Sequence, residues 1–344
     1  MFGQLSDRQG HLLMEKDTMD NFFCQRLWVF IVAACLATCA LGQSVDDYPQ
    51  RPVKIIVPFA PGGATDVVAR MVASAMTSRT SQTFMVENKA GSANIMGNDA
   101  VAKAKPDGYT LLFAAAPLAL NSALGMKLPY ELATDFAPIS LVASAPMLIA
   151  VHPDTPWRSL SDVVAAARSQ AGGLSYATAG VGSMPHLLGE SLRSSTGVSL
   201  VHVGYKGAAP ALQDAVAGVV PILIDAYVPS GAQVLAGRLR ALAIAAPVRS
   251  AVLPDVPTTA EQGFPTLVGA GFYGLLAPAG TPPSIITKLH ATLLQAMQQS
   301  DLRARLIAQG YSVHVSTPSE YASYLKNEIT RWTPVVKAAG IKPE

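Results

Sequence analysis

The sequence predicts an α/β protein built as two lobes, and three observations carry that expectation. Short β-branched runs alternate with stretches of helical spacing from Tyr48 onward, the pattern of sheets flanked by helices. The chain has 344 residues, enough for two domains with a core each. Apolar residues make up 50% and charged ones 14%, a balance that excludes a disordered polyelectrolyte and fits a well-buried globular protein. Each lobe is expected to be a doubly wound mixed sheet with flanking helices, and hinge strands join the two.

The first lobe opens on the β-branched run 53–57, a buried strand ended by Pro58. After a Pro-Gly-Gly loop, Val67, Val68, Met71, Val72, Ala75 and Met76 recur at helical spacing. Residues 84–86 read as a second strand, 95–102 as a second helix, and Pro106-Asp107-Gly108 as the turn into a strand over 110–114. That is a βαβαβ unit, half of an open doubly wound sheet. The apolar stretch 139–151, broken at Pro146, reads as strands leading into the second lobe. There Ser159 and Asp162 form a capping box for a helix through Arg168. Strands are expected over 174–177, 200–203, 222–225 and 240–245, with one helix from near Pro185 and another over 210–217. The run 272–277 returns to the first lobe, and helices follow over 283–299, 301–309 and 319–339, the last interrupted at Pro334. Lobe 1 is thus assigned residues 44–149 and 271–344, lobe 2 residues 150–270, with the hinge near Ala150 and Ala270.

The N-terminus reads as an export signal. Arg26 precedes the uncharged run 27–41 and small residues around Ala40 and Gly42, so residues 1–42 are expected to be a signal peptide with an upstream extension. The run is shorter than the roughly 20 residues of a membrane span, although a retained anchor is the alternative. Cleavage would place the mature chain in the periplasm. Cys24, Cys35 and Cys39 all lie in this segment, so the mature chain would hold no disulfide, thiolate metal site or cysteine nucleophile. The formal net charge of +2 and the scattered basic residues argue against a nucleic-acid partner.

In doubly wound sheets, ligands bind where the strand-to-helix loops gather. The first such loop is 58–66, in which Thr65 and Asp66 cap the helix or point into the cleft. Its glycines let backbone N–H groups approach a ligand, and the helix N-terminus behind them favours an anion. The second is 179–186, with Ser183 as N-cap and His186 in the first helical turn, either packing or reaching the ligand. The third, 205–210, begins at Tyr205, while Ala116 and Asp225 stand at the ends of two further strands. Enzymatic patterns fit poorly. Val181 and Pro185 stand where a nucleophile elbow has glycine, and Pro185 replaces the third glycine of a dinucleotide fingerprint. The six histidines show no metal spacing. No catalytic residue, cofactor or metal is therefore expected.

Several ordered motifs resemble one family. The segment 48–63, Tyr-Pro-x-Arg-Pro-Val-Lys-Ile-Ile-Val-Pro-Phe-x-Pro-Gly-Gly, closely resembles the start of mature Bug proteins, the substrate-binding components of tripartite tricarboxylate transporters. The likeness continues through 87–95, 106–112, 205–207, 253–258 and 277–283, and covers essentially all of 48–344. It implies a type II-like periplasmic binding protein that closes around its ligand as a monomer. The implied ligands are di- or tricarboxylates, acidic amino acids or aromatic acids, and the implied partners are integral membrane subunits of the transporter. By position, the resemblance assigns Phe59, Gly63, Ala64, Thr65 and Asp66 on one lobe and Gly180, Gly182, Ser183 and Tyr205 on the other. Ala116, His186, Gly207 and Asp225 complete the expected site. The sequence departs from common family forms at Ala64 and at Asp225-Ala226-Tyr227, which leaves the solute open. If Asp66 faces the cleft, a ligand bearing an amino group is favoured. The rival reading is a periplasmic ligand-sensing adaptor for a sensor kinase, which would use the same fold and site.

Overall fold

The computed structural model describes residues 48–342 apart from 92, 93 and 299; the export signal expected over 1–42 lies outside the described residues. Five residues, Val53–Val57 (β1), form a strand whose side chains are nearly all buried. Helix α1 (Ala64–Thr77) follows, then β2 (Phe84–Asn88), α2 (Ile95–Ala102), β3 (Thr110–Ala115) and α3 (Pro117–Ala123). Strand β1 pairs in parallel with both β2 and β3, so the expected βαβαβ unit forms.

The chain then runs through one strand of 16 residues, β4 (Phe136–Val151). The expected break at Pro146 does not occur. Proline removes one ladder donor, and at that point β4 changes partners, so the missing N–H falls where the pairing is handed over. Up to Pro146, β4 lies antiparallel to β9 (Ala270–Pro278) and to the short β10 (Ser312–Val313). From Met147 it lies antiparallel to β7 (Ile222–Ala226) and β8 (Arg240–Ile244). Backbone bonds clamp the crossing: Met147 donates to Gly269, Gly269 to Ala245, and Ala245 to Met147.

Beyond it come α4 (Leu160–Ser169), β5 (Leu174–Thr178), α5 (Met184–Thr196), β6 (Leu200–Gly204), α6 (Ala208–Val216) and α7 (Tyr227–Leu235). Helix α4 carries the expected capping box, with both reciprocal bonds between Ser159 and Asp162. Strand β5 pairs in parallel with β6 and β7. The strand order is β2-β1-β3-β9-β4-β7-β5-β6, with β8 and β10 added on β4. This is an α/β fold with a continuous mixed sheet.

Helices α8 (Pro283–Met297), α9 (Ser300–Ala308) and α10 (Pro318–Ala339) close the chain. The expected interruption of α10 at Pro334 is absent. Thr317 and Glu320 form a capping box at its start, and packing of Trp332 and Val336 into the core holds both sides of the proline in helix. Helix α10 packs on α3, β4 and α5, so it touches a helix of each half. The main core runs without a gap from Ile56 and Leu112 through Phe272 to Leu187 and Leu242.

Register then places the site. Ala115 at the end of β3 pairs with Tyr273, and Tyr273 with Ala143. Ala226 at the end of β7 pairs with Met147. The carboxyl ends of the parallel strands of both halves therefore converge on residues 143–147 from opposite sides.

Candidate functional site

The loop after β1 is organised by Asp66, which is 3% exposed. Its carboxylate accepts the N–H of Gly62 at 3.0 Å, Nε of Arg70 at 2.9 Å and Nδ2 of Asn88 at 2.8 Å. Asn88 also donates to the Phe59 carbonyl at 3.1 Å. Burial pushes the Asp66 carboxyl up, but the bonds from Arg70, Gly62 and Asn88 outweigh it and hold it at about 2. Both oxygens are thus engaged within the loop. The amides of Gly63, Ala64 and Thr65, at the open end of α1, have no partner among the described residues. Thr65 is buried, and its hydroxyl likewise makes no hydrogen bond among them.

In the loop after β5, Ser183 caps α5: its Oγ accepts the His186 N–H at 3.4 Å and donates to the Gly180 carbonyl at 2.6 Å. Gly180 N–H donates to Thr178 Oγ1 at 3.2 Å, and Gly182 N–H to His186 Nδ1 at 3.1 Å. The two glycine amides expected to face a ligand are therefore spent inside the loop. The neighbouring amides of Val181 and Met184 have no partner among the described residues. Gly182 has φ +73°, which favours glycine, and a Cβ there would stand 3.0 Å from the Leu124 side chain of the opposite half.

Three side chains expected at the site face their own surroundings. His186 is buried and stacks on His202, ring centroids 3.8 Å apart; burial, helped by His202, pushes it down to about 4. Tyr205 donates to Asp214 at 2.6 Å; partial burial and that carboxylate push its hydroxyl up to about 12. Asp225 is buried and accepts the Ala226 N–H at 2.8 Å and Ser230 Oγ at 2.7 Å. Burial outweighs those two bonds and raises it to about 6. Gly207 ties the third loop to the second by donating to the Ala179 carbonyl at 3.1 Å.

A cavity of about 420 Å³ lies between α3 and the N-terminus of α5, within the size range of small-molecule sites. Of the expected residues, Ala116, Gly182 and Ser183 line it; Phe59, Gly63–Asp66 (63–66), Gly180, His186, Tyr205, Gly207 and Asp225 do not. Sequence reasoning missed Asn94, Asn121, Leu124 and Lys342 in its wall. Asn94 was accessible to it, since it ends a small-residue run after a strand, as the chosen loops do; its φ is +72°. Among the described residues Lys342 is the charged member of the lining, and it is exposed. No group of three His, Cys, Asp or Glu converges among the described residues.

Comparison with known proteins places the chain in a family. The pattern of the tripartite tricarboxylate transporter family receptor matches residues 68–341. Protein BugT of Bordetella pertussis is 37% identical over 316 residues, covering 91% of this chain and 96% of BugT. A solved R. palustris protein with adipate is 33% identical, with TM-score 0.75 over 87% of this chain and all (100%) of that one. MatC from Rhodopseudomonas palustris with bound malate is 35% identical, with TM-score 0.71 over 84% of this chain and 100% of MatC.

Proposed function

Because the chain belongs to the tripartite tricarboxylate transporter receptor family, whose members are periplasmic solute-binding proteins and not enzymes, we propose that it captures a small carboxylate. The site is the cleft where the strand ends of the two halves converge, and the loaded protein delivers its solute to the membrane subunits of a tripartite uptake system. The observation that carries the reading is the pair of helix N-termini presented from opposite halves, each with unpartnered amides: Gly63, Ala64 and Thr65 on one, Val181 and Met184 on the other. Such amides with a helix dipole behind them attract an anion. A solute with two charged ends could be held at both at once. The Thr65 hydroxyl adds a donor at the first end, and Lys342, in the cavity beside the second, adds a cation. Relatives solved with adipate and with malate support the same chemistry.

The two halves act as lobes, with the crossing at Pro146–Met147 (146–147) and Gly269–Ala270 (269–270), where β4 and β9 pass between them. Residues 1–42 serve as a cleaved export signal that places the receptor in the periplasm. Uptake of radiolabelled adipate and malate by a strain lacking the gene tests the transport role. The deletion should abolish uptake of at least one labelled acid at low concentration, with recovery on complementation, and bound acid should be released unchanged on denaturation. Normal uptake by the deletion strain of every acid that the protein binds contradicts the transport role.

A further inference from the structure

The loop at the N-terminus of α5 is held from behind by two stacked histidines that the capture reading does not use. His186 and His202 lie on different elements, α5 and β6, and their rings are nearly parallel at 17° and 3.8 Å. His186 Nδ1 accepts the Gly182 N–H at 3.1 Å. His202 Nε2 meets Thr178 Oγ1 at 2.6 Å, and the same oxygen accepts the Gly180 N–H at 3.2 Å. Both glycine amides of the loop are thus turned inward by this pair, which leaves the Val181 and Met184 amides as its outward donors.

We infer that His186 and His202 are positioning residues for the solute loop, and that protonation of His186 at Nδ1 releases the loop and weakens anion capture on acidification. This rests on the reading of that loop as half of the solute site. An imidazolium carries a hydrogen on both nitrogens, so Nδ1–H would face Gly182 N–H, two donors at hydrogen-bond distance. The bond must break, and Gly182 must turn. The cation would also stack directly on a second imidazole. The other groups around the ring do not restore the balance. Glu190, on the same helix, has Oε1 at 4.0 Å from His186 Nε2, but it is already engaged by Tyr176 of β5 at 2.9 Å and by Arg193 at 2.6 Å. Burial pushes both rings down, so the pair is neutral at ordinary pH, and His202 has Thr178 as a hydroxyl partner that can donate or accept.

The test follows the loop directly in the ligand-free mature protein. The Gly182 amide and the His186 ring nitrogens are read by ¹⁵N NMR from pH 8 to pH 3.5, and binding of adipate and of malate is titrated over the same range. The ring nitrogens should report an unprotonated Nδ1 at pH 7.5, and the Gly182 amide should shift in step with ring protonation. Affinity for whichever acid binds should fall twofold at the ring midpoint and about fourfold half a unit below it. His186→Asn retains an acceptor near Nδ1 but cannot titrate. It should bind more weakly at pH 7.5 and lose the step, leaving only the dependence that comes from the acid's own carboxyls. His202→Gln, which keeps an acceptor for Thr178, should retain the step. A Gly182 amide that stays unmoved through ring protonation overturns the inference, as does a wild-type profile identical to that of His186→Asn. If neither acid binds, the capture reading for these acids fails, while the amide and ring resonances still decide the switch.

Discussion

Replacing Asp66 by Asn separates a carboxylate that builds the first loop from one that faces the solute. The wild-type oxygens take three donors, from Gly62, Arg70 and Asn88. An amide offers one oxygen, and its NH₂ would face at least one of those donors. The ionised form in the fold is favoured by the shift from 3.8 to about 2, equivalent to about 2.4 kcal/mol. Arg70 is 52% exposed in its side chain, so solvent screening reduces the share owed to that ion pair. We expect Asp66→Asn to lose about 2 kcal/mol at pH 7, or about 3 °C in Tm for a chain of this size. The sign with pH follows from a depressed carboxyl. The contribution is full above the unfolded value of 3.8 and disappears as pH falls toward 2, so wild type and variant should converge on acidification. Urea unfolding of ligand-free protein at pH 7 and at pH 3 measures both. The variant should also keep the wild-type ratio of affinities for an amino dicarboxylate and its non-amino counterpart. Equal stability at pH 7 together with a changed ratio would refute the reasoning and return Asp66 to the solute.

Asp225→Asn should act in the opposite direction. Burial raises the folded carboxyl to about 6, so the charged form costs stability above that pH, up to about 3 kcal/mol. The variant, which can still accept from Ala226 and donate to Ser230, should be more stable at pH 8, and its advantage should vanish as pH falls to about 4; denaturant midpoints across that range check it. Gly310→Ala probes the contact between the C-terminal segment and α7, because a Cβ at Gly310, where φ is +88°, would meet the Tyr227 ring at 2.0 Å. Thermal unfolding should show a loss of about 2 kcal/mol, and Tyr227→Ala should recover part of it in the double variant; strict additivity would place the cost elsewhere.

How much of this was legible in the sequence depends on what each segment had to signal. The ends of β1 and α2, and the Ser159–Asp162 (159–162) capping box, follow from local chemistry and stand where the residues indicate. Helices α3 and α7 went unread because α3 is buried on most of its surface, α7 starts directly at the end of β7, and neither has a capping side chain. The two prolines misled for one reason: a missing N–H breaks an element only when packing does not hold both flanks, and Ala145 and Met147 beside Pro146, like Trp332 and Val336 around the exposed Pro334, are buried. At the site, the loops themselves were readable from glycine and small-residue runs. Which amides point outward was not, because that depends on Thr178 and His202, brought together by the pairing of β5 with β6, and on His186, which α5 lays against His202. Lys342 had no local pattern to announce it, since it reaches the cavity only through the docking of α10 on α3 and α5.

The central claim, reversible capture of a small carboxylate, is tested most directly by thermal unfolding of mature protein refolded to strip any carried solute. The panel comprises adipate, malate and benzoate beside their neutral amides. An acid present at about a hundred times its dissociation constant should add roughly 2.7 kcal/mol, a shift of several degrees, and the matching amide should add none. Equal shifts from acids and amides, or no shift from any acid in a folded protein, would contradict the account.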